Sequence, residues 1–255
     1  MRGLPRVLSV PAVLTGRRLV LAIAAAVAAV AAVGGTAIAL TTSAPSHAVS
    51  VSRGDLTRAA LKVTAGTPFL DVSMGRLGGT LLRVSTPDDA PVRPVLSGSE
   101  LIVLSLAGAS AEHIQGSGYA VKVVLNSAVT WSLDLAGGTE RTQADLRGGK
   151  VAGVAVTAGS AVLDVSLPRP SGTLPLLLAG GVSQFRLSLP GGVPVQVTVG
   201  GGASFVSVDD QNLTGVAGGT VLTPPGWAAA TSRFDIDATS GFSQLTVSRW
   251  SAAGS

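Results

Sequence analysis

VAVTAGSAVLDVSLPRPSGTLPLLLAGGVSQFRLSLPGGVPVQVTV, residues 154–199, repeats one short design. Runs of alternating apolar and polar residues are separated by Gly-Gly or Pro-Gly breaks roughly every ten residues, which is typical of short strands joined by tight turns. Successive side chains of a strand face opposite sides, so the apolar residues of FRLSL (185–189) share one face and its Arg and Ser the other. The four valines of VPVQVTV (193–199) also share a face. The pattern predicts an all-β domain.

The same design occurs earlier in the chain. Residues 63–81 align without gaps on residues 156–174, at an offset of 93, with 12 of 19 positions identical. The offset continues, so the internal duplication spans 63–108 and 156–201. Apolar alternation and glycines recur, and these fix a backbone path by burial and by permitting turns. The charges that recur are Asp71 with Asp164 and Arg76 with Arg169, and we favour solvated or turn-bracing roles for them.

Composition excludes several classes of protein. Cysteine is absent, which excludes disulfides, thiolate metal sites and thiol catalysis. Residues 1–41 hold four arginines and no acid, and the other 14 basic residues match 14 acidic ones. A nucleic-acid partner requires a concentrated basic surface. A neutral body therefore predicts no nucleic-acid binding.

The N-terminal region predicts a membrane anchor. Residues 1–18 form a basic tail, and residues 19–40 contain no charge. A 22-residue helix is about 33 Å long, enough to cross a hydrocarbon core of about 30 Å. We therefore predict a transmembrane helix or signal anchor over 19–41, with the tail in the cytoplasm, because positive charge marks the cytoplasmic side. Cleavage near Ala48, which would yield a secreted protein, is the alternative.

Three further segments complete the predicted organisation. Residues 42–55 are small and polar and predict a linker, followed by an extracytoplasmic β-repeat domain over 56–255. Arg53-Gly54-Asp55 matches the integrin-recognition tripeptide, although three residues recur often by chance. Solenoids need atypical terminal units, and residues 223–250, with Trp227 and Trp250, are the predicted C-terminal cap.

Several segments resemble the bacterial putative-adhesin (toastrack-type) β-repeat domains and the related extracytoplasmic domain of Lia-type cell-wall-antibiotic response proteins. The likeness covers about residues 120–250. The matching segments are WSLDL before Gly-Gly (131–138), ADL (144–146), Leu-Pro at 167–168 and 189–190, GGAS (201–204) and SGFSQLTVSR (240–249). The resemblance implies a β-helix-like stack, often joined to a membrane segment, with roles in envelope stress signalling or surface interaction. It implies no catalytic residues.

Candidate catalytic and metal-binding residues are few. Ser110, Glu112 and His113 are close in sequence, which does not establish the geometry of a catalytic triad. Asp88 and Asp89 are adjacent, so on an extended chain they point apart. Four other acids, Asp209, Asp210, Asp235 and Asp237, are candidates for calcium binding or for polysaccharide chemistry. We favour structural or solvated roles for these acids, and we predict no cofactor, no metal and no catalytic residue.

The sequence predicts a β-helix or β-solenoid-like stack of short strands after one N-terminal transmembrane helix. The favoured function is a non-catalytic, membrane-anchored surface with an adhesive, structural or stress-sensing role. Its expected partners are the membrane and an envelope protein or cell-wall polymer. The alternative is a secreted or tethered carbohydrate-active β-helix enzyme that uses Asp209, Asp210, Asp235 or Asp237.

Overall fold

The computed structural model describes residues 46–98, 101–108 and 118–251. The predicted tail (1–18) and transmembrane segment (19–41) lie outside the described residues. Among the described residues, no helix is long and apolar enough to cross a membrane.

Within those ranges the chain forms nineteen strands and one short 3-10 helix, Trp227–Ala229. The strands are Ala48–Ser52 (β1), Arg58–Val63 (β2), Thr67–Gly75 (β3), Thr80–Ser85 (β4), Val92–Ser97 (β5), Leu101–Gly108 (β6), Ala120–Asn126 (β7), Thr130–Leu135 (β8), Thr139–Asp145 (β9), Lys150–Val156 (β10), Ser160–Ser166 (β11), Thr173–Leu178 (β12), Val182–Pro190 (β13), Val195–Val199 (β14), Ala203–Val208 (β15), Gln211–Val216 (β16), Thr220–Leu222 (β17), Arg233–Ala238 (β18) and Phe242–Trp250 (β19).

The strands form two sheets that share one core. Sheet A has the order β1-β4-β7-β3-β9-β11-β13-β19-β15-β16, and sheet B has the order β5-β6-β2-β8-β10-β12-β18-β14-β17. Two consecutive strands form one coil of the stack, the first in sheet B and the second in sheet A. Examples are β2–β3, β8–β9, β10–β11 and β12–β13. Neighbouring coils pair in parallel. The predicted all-β stack is thereby confirmed.

Stacked apolar side chains hold the two sheets together. In sheet A, Leu163 lies beside Phe185, which lies beside Leu245, and these three side chains are almost completely buried. Burying one such side chain contributes about 1.5–3 kcal/mol. The predicted division of FRLSL into a buried and an exposed face is correct, because Phe185 faces the core and Arg186 is exposed.

The corner from sheet B to sheet A repeats along the stack and requires small residues. A Cβ added at Gly137 would collide with the carbonyl group of Ala65 on the neighbouring coil, and one added at Gly180 would collide with that of Ala158. The glycines in the repeating breaks therefore permit close stacking of the corners.

Antiparallel strands close both ends of the stack. At one end β4 pairs antiparallel with β7, and β5 with β6. At the other end β15 pairs with β16, and β14 with β17. These antiparallel strands break the parallel repeat and so terminate it.

The order of coils in space differs from their order in the sequence. The β18–β19 coil lies between the β12–β13 and β14–β15 coils, so the chain skips one position and later returns to fill it. The prediction of a cap over residues 223–250 is therefore wrong: β18 and β19 are interior, and β16 and β17 are terminal. The apolar alternation of β18 and β19 is compatible with any position among the parallel strands of their sheets. The sequence therefore did not reveal where in the stack they lie.

Two other sequence-based boundaries differ from the structure. The predicted linker, 42–55, contains β1, which pairs antiparallel with β4. In the duplication, β2–β3 and β10–β11 occupy matching places, whereas β4 lies in sheet A and the aligned β12 in sheet B. Arg83 of β4 is exposed where β12 has the buried Leu176, so the two segments have different buried faces.

Candidate functional site

The outer face of sheet A carries a row of polar side chains in register, which we call the sheet A ladder. Because the pairing is in register, one residue from each of the eight neighbouring strands from β7 to β16 falls in the row. Its members are Lys122, Asp71, Gln143, Asp164, Arg186, Thr246, Ser207 and Asn212. Both aspartates of the duplication therefore lie in one surface row, two strands apart.

Ion pairs order the middle of the ladder. Asp164 lies between Arg186, at 3.2 Å, and Arg141, at 3.5 Å. Arg186 also donates to Gln184 Oε1 at 2.7 Å. Exposed ion pairs contribute only about 0–1 kcal/mol to stability. These contacts therefore orient the charged groups rather than hold the fold together.

The outer face of sheet B has a different character. Lys62 and Asp134 form an ion pair at 2.9 Å. Along the same row the next strands contribute Ala155, Leu177 and Asp237. All three are buried although they point away from the core between the sheets.

The predicted acid pair on β18 lies on this face. Asp235 pairs in register with Pro175, and Asp237 with Leu177. Asp237 is only 4% exposed, and its Oδ2 atom has no hydrogen-bond partner among the described residues. Burial raises the pKa of Asp237. Burial and the nearby charge of Asp237 raise the pKa of Asp235, which Arg233 partly offsets.

The other predicted acids lie elsewhere. Asp209 follows β15 in sheet A and accepts hydrogen bonds from Arg249 at 2.6 and 2.8 Å. Those bonds hold the pKa of Asp209 below its ordinary value, despite partial burial. Asp210 is exposed. The four acids proposed for polysaccharide chemistry are therefore divided between two sheets.

Asp237→Asn is expected to stabilise the protein by about 1–2 kcal/mol at pH 7, because a buried charged group without a partner is costly. A folded-state pKa above the unfolded value of about 3.9 means that the folded protein binds the proton more tightly. Protonation of Asp237 removes the buried charge, so the difference in the free energy of unfolding between the variant and the wild type should shrink as the pH falls through the folded-state pKa of Asp237. Urea unfolding of both proteins at pH 7 and pH 3 measures this difference, and a destabilised variant at pH 7 would contradict it.

The remaining predicted residues do not form a cluster. Arg169 donates to the carbonyl of Gly191 at 3.0 Å, and Arg76 is exposed. Asp88 and Asp89 are exposed in the loop after β4. In the tripeptide 53–55, Arg53 is half-buried with its Nε atom away from solvent.

Ser110, Glu112 and His113 lie outside the described residues. In the part of the chain that the structure describes, no group of three or more His, Cys, Asp or Glu side chains is placed to hold a metal ion.

The sequence interpretation missed most of the sheet A ladder. Gln143, Arg186 and Thr246 are ordinary surface residues when taken singly. The alternation of inward and outward side chains along each strand could have identified them, since the outward positions of strands paired in register form rows across a sheet. What was lacking was the order of the coils.

In sequence, the chain matches no protein-family model and no curated protein. In structure, it is similar to a "putative cell adhesion protein" from Clostridium sporogenes, with a TM-score of 0.57 and 16% identity, over 80% of this chain and 100% of that one. A "putative adhesin" from Bacteroides fragilis aligns at a TM-score of 0.24 and 8% identity, over 80% and 98% of the two chains. The first similarity confirms the resemblance to putative-adhesin domains at the level of fold.

Proposed function

We propose that this protein is a non-catalytic, adhesin-like module of a bacterial cell envelope, which uses the outer face of sheet A to contact an envelope protein or cell-wall polymer. The observation that carries the proposal is the sheet A ladder. It presents charged, amide and hydroxyl groups in one line across parallel strands of a rigid stack.

The spacing of the ladder suits an extended partner. Neighbouring strands lie about 4.8 Å apart, so seven parallel strands present a row roughly 30 Å long. A second row runs beside it, with Ser73, Asp145, Ser166, Ser188 and Ser248 in register. Such rows can hydrogen-bond a polymer or a protein strand at many points without an enclosed pocket.

The proposal places the stack outside the cytoplasmic membrane, held by the apolar segment 19–41. Contacts of His47 support an uncleaved chain. Its Nδ1 atom lies 3.0 Å from Thr86 Oγ1, and its carbonyl accepts from the backbone N–H of Thr86 at 2.8 Å. Cleavage near Ala48 would remove both contacts from the edge of sheet A.

Single-cysteine variants test location and surface together, because the 255-residue chain has no cysteine. Gln143→Cys lies in the ladder, and Val221→Cys lies on sheet B at a position that is 46% exposed. In intact cells, a membrane-impermeant maleimide that carries a photo-crosslinker is expected to label both variants. Irradiation should then give an envelope crosslink from Gln143→Cys and little from Val221→Cys.

Different failures of this experiment have different meanings. Labelling of either variant only after lysis would contradict the extracytoplasmic location. Equal crosslinking from both variants, or crosslinking from Val221→Cys alone, would contradict the assignment of the surface to sheet A. The crosslinked component, identified by mass spectrometry, distinguishes a protein partner from a wall polymer.

A further inference from the structure

A cavity of about 480 Å³ lies at the edge of sheet B where β2, β8, β10 and β12 begin. The polar side chains in its lining are Arg58, Thr130, Ser132, Ser171 and Thr173. Small-ligand sites typically have volumes of about 300–1,000 Å³. The cavity is therefore large enough for a monosaccharide or a short segment of a glycan.

Two local features of the chain create the concave shape. The pairing of β10 with β8 shifts register between Val151 and Gly153, and such bulges bend a strand and redirect its side chains. The loop between β11 and β12 forms another wall, with Pro170 and Gly172 in the lining. Proline fixes φ, so this wall is stiff before any ligand arrives.

The charge at this edge is positive. Arg58 and Lys150 are register partners of Thr130 on its two sides, and both are exposed. Neither forms an ion pair with another described residue. Arg233 lies nearby and donates from Nε to Thr173 Oγ1 at 2.8 Å. Free guanidinium and ammonium groups beside a cavity favour an anion.

We propose that this cavity binds an acidic saccharide, meaning a sugar that carries a carboxylate or a phosphate group. Arg58 pairs with the oxyanion, since the planar guanidinium donates two parallel hydrogen bonds to carboxylate or phosphate. The hydroxyls of Thr130, Ser132 and Ser171 exchange hydrogen bonds with sugar hydroxyls, as each can donate and accept. The site lies on sheet B, so it stands independently of the sheet A surface.

Titration calorimetry of the purified full-length protein with glucuronate, glucose 6-phosphate and glucose tests the proposal. The three sugars share a ring and differ in the anionic group. A charge-assisted hydrogen bond contributes about 1.5–3 kcal/mol, so the better acidic sugar should bind about tenfold or more tightly than glucose. The preference between glucuronate and glucose 6-phosphate identifies the carboxylate or the phosphate as the natural group.

Three variants locate the binding. Arg58→Gln removes the charge at an exposed position and should weaken acidic-sugar binding about tenfold. Ser171→Trp fills the cavity without changing charge and should abolish binding. Arg83→Gln removes an exposed arginine from sheet A and should change nothing.

Several results would overturn the proposal. These are equal binding of glucose and both acidic sugars, no binding of any of them, or full binding by Arg58→Gln or Ser171→Trp. Circular dichroism of each variant separates loss of binding from loss of fold. Because this assay uses purified protein and soluble sugars, its failure would leave the sheet A crosslinking result untouched.

Discussion

A chain that ends at Ser232, and so lacks β18 and β19, is expected not to form the stack. These strands lie between β12 and β14 in sheet B and between β13 and β15 in sheet A. Their loss leaves each neighbouring strand unpaired along one edge and, besides Ala238, removes five large buried apolar side chains. These are Phe234, Ile236, Phe242, Leu245 and Val247.

The size of this effect follows from burial. At about 1.5–3 kcal/mol for each side chain, the lost contribution is roughly 10 kcal/mol. The net stability of a domain is about 5–15 kcal/mol. Circular dichroism, size-exclusion chromatography and limited proteolysis of the truncated protein should show an unfolded or aggregated chain without a cooperative melting transition.

Two controls distinguish the effect of losing two interior strands from the effects of shortening the chain or of changing a surface residue. A chain that ends at Ser251 keeps every described strand and should melt like the full-length protein. Val221→Asp changes an exposed position on the edge strand β17, where a surface substitution usually changes stability by less than about 0.5 kcal/mol. A cooperative melt of the truncated chain near the wild-type temperature would show that β18 and β19 are peripheral after all.

Local patterns predicted which side chains are buried but could not predict the order of the coils. Phe185, Leu187 and Leu189 face the core, as expected from alternation. In contrast, Ile236 of β18 occupies the same kind of inward position as Leu176 of β12 and Val197 of β14, with which it is in register. Because the three positions are chemically alike, alternation cannot assign a strand to one slot.

The candidate sites were predictable to different extents. Asp235 and Asp237 are two residues apart, so strand alternation alone puts them on one face. It could not show that Asp237 would be buried, since that depends on its neighbours in space. The ion pair of Asp209 with Arg249 joins residues 40 positions apart, and no local pattern pairs them. The cavity beside Arg58 depends on a bulge and on four strands that meet at one edge.

Asn126 is a buried residue that the sequence interpretation overlooked, and its replacement is expected to have the second large effect. It is 2% exposed and ends β7. Its Nδ2 group donates to the carbonyls of Gly78 and Thr80 at 3.0 and 2.7 Å. Its Oδ1 atom accepts from the N–H of Ala128 at 3.0 Å. One amide thus joins the turn before β4 to the turn before β8.

The backbone of Asn126 also anchors a core side chain. Its carbonyl accepts from the indole N–H of Trp131 at 3.0 Å, and Trp131 is fully buried in the core. Displacement of Asn126 would therefore disturb both a surface turn and the packing beneath it. Coupling of this kind makes the cost of a substitution larger than the sum of its lost bonds.

Asn126→Ala is expected to destabilise the protein by about 2–4 kcal/mol, because it leaves two carbonyls and one N–H without their partner. Asn126→Asp keeps the acceptor but sets a carboxylate oxygen against two carbonyl oxygens, so it should be worse at pH 7. That repulsion raises the folded-state pKa of the new carboxyl above the unfolded value. Stability of this variant should therefore rise relative to wild type as the pH falls through that raised pKa.

Urea unfolding of both variants at pH 7 and pH 4 measures these differences, with Asn212→Ala and Asn212→Asp as matched controls on the exposed edge strand β16. The control substitutions should change stability by less than about 0.5 kcal/mol at either pH. If Asn126→Ala lowered the free energy of unfolding no more than Asn212→Ala does, the hydrogen bonds of the Asn126 amide would not contribute to stability. If Asn126→Asp showed no response to pH, its carboxyl would not face the carbonyls of Gly78 and Thr80 as the hydrogen bonds of Asn126 require.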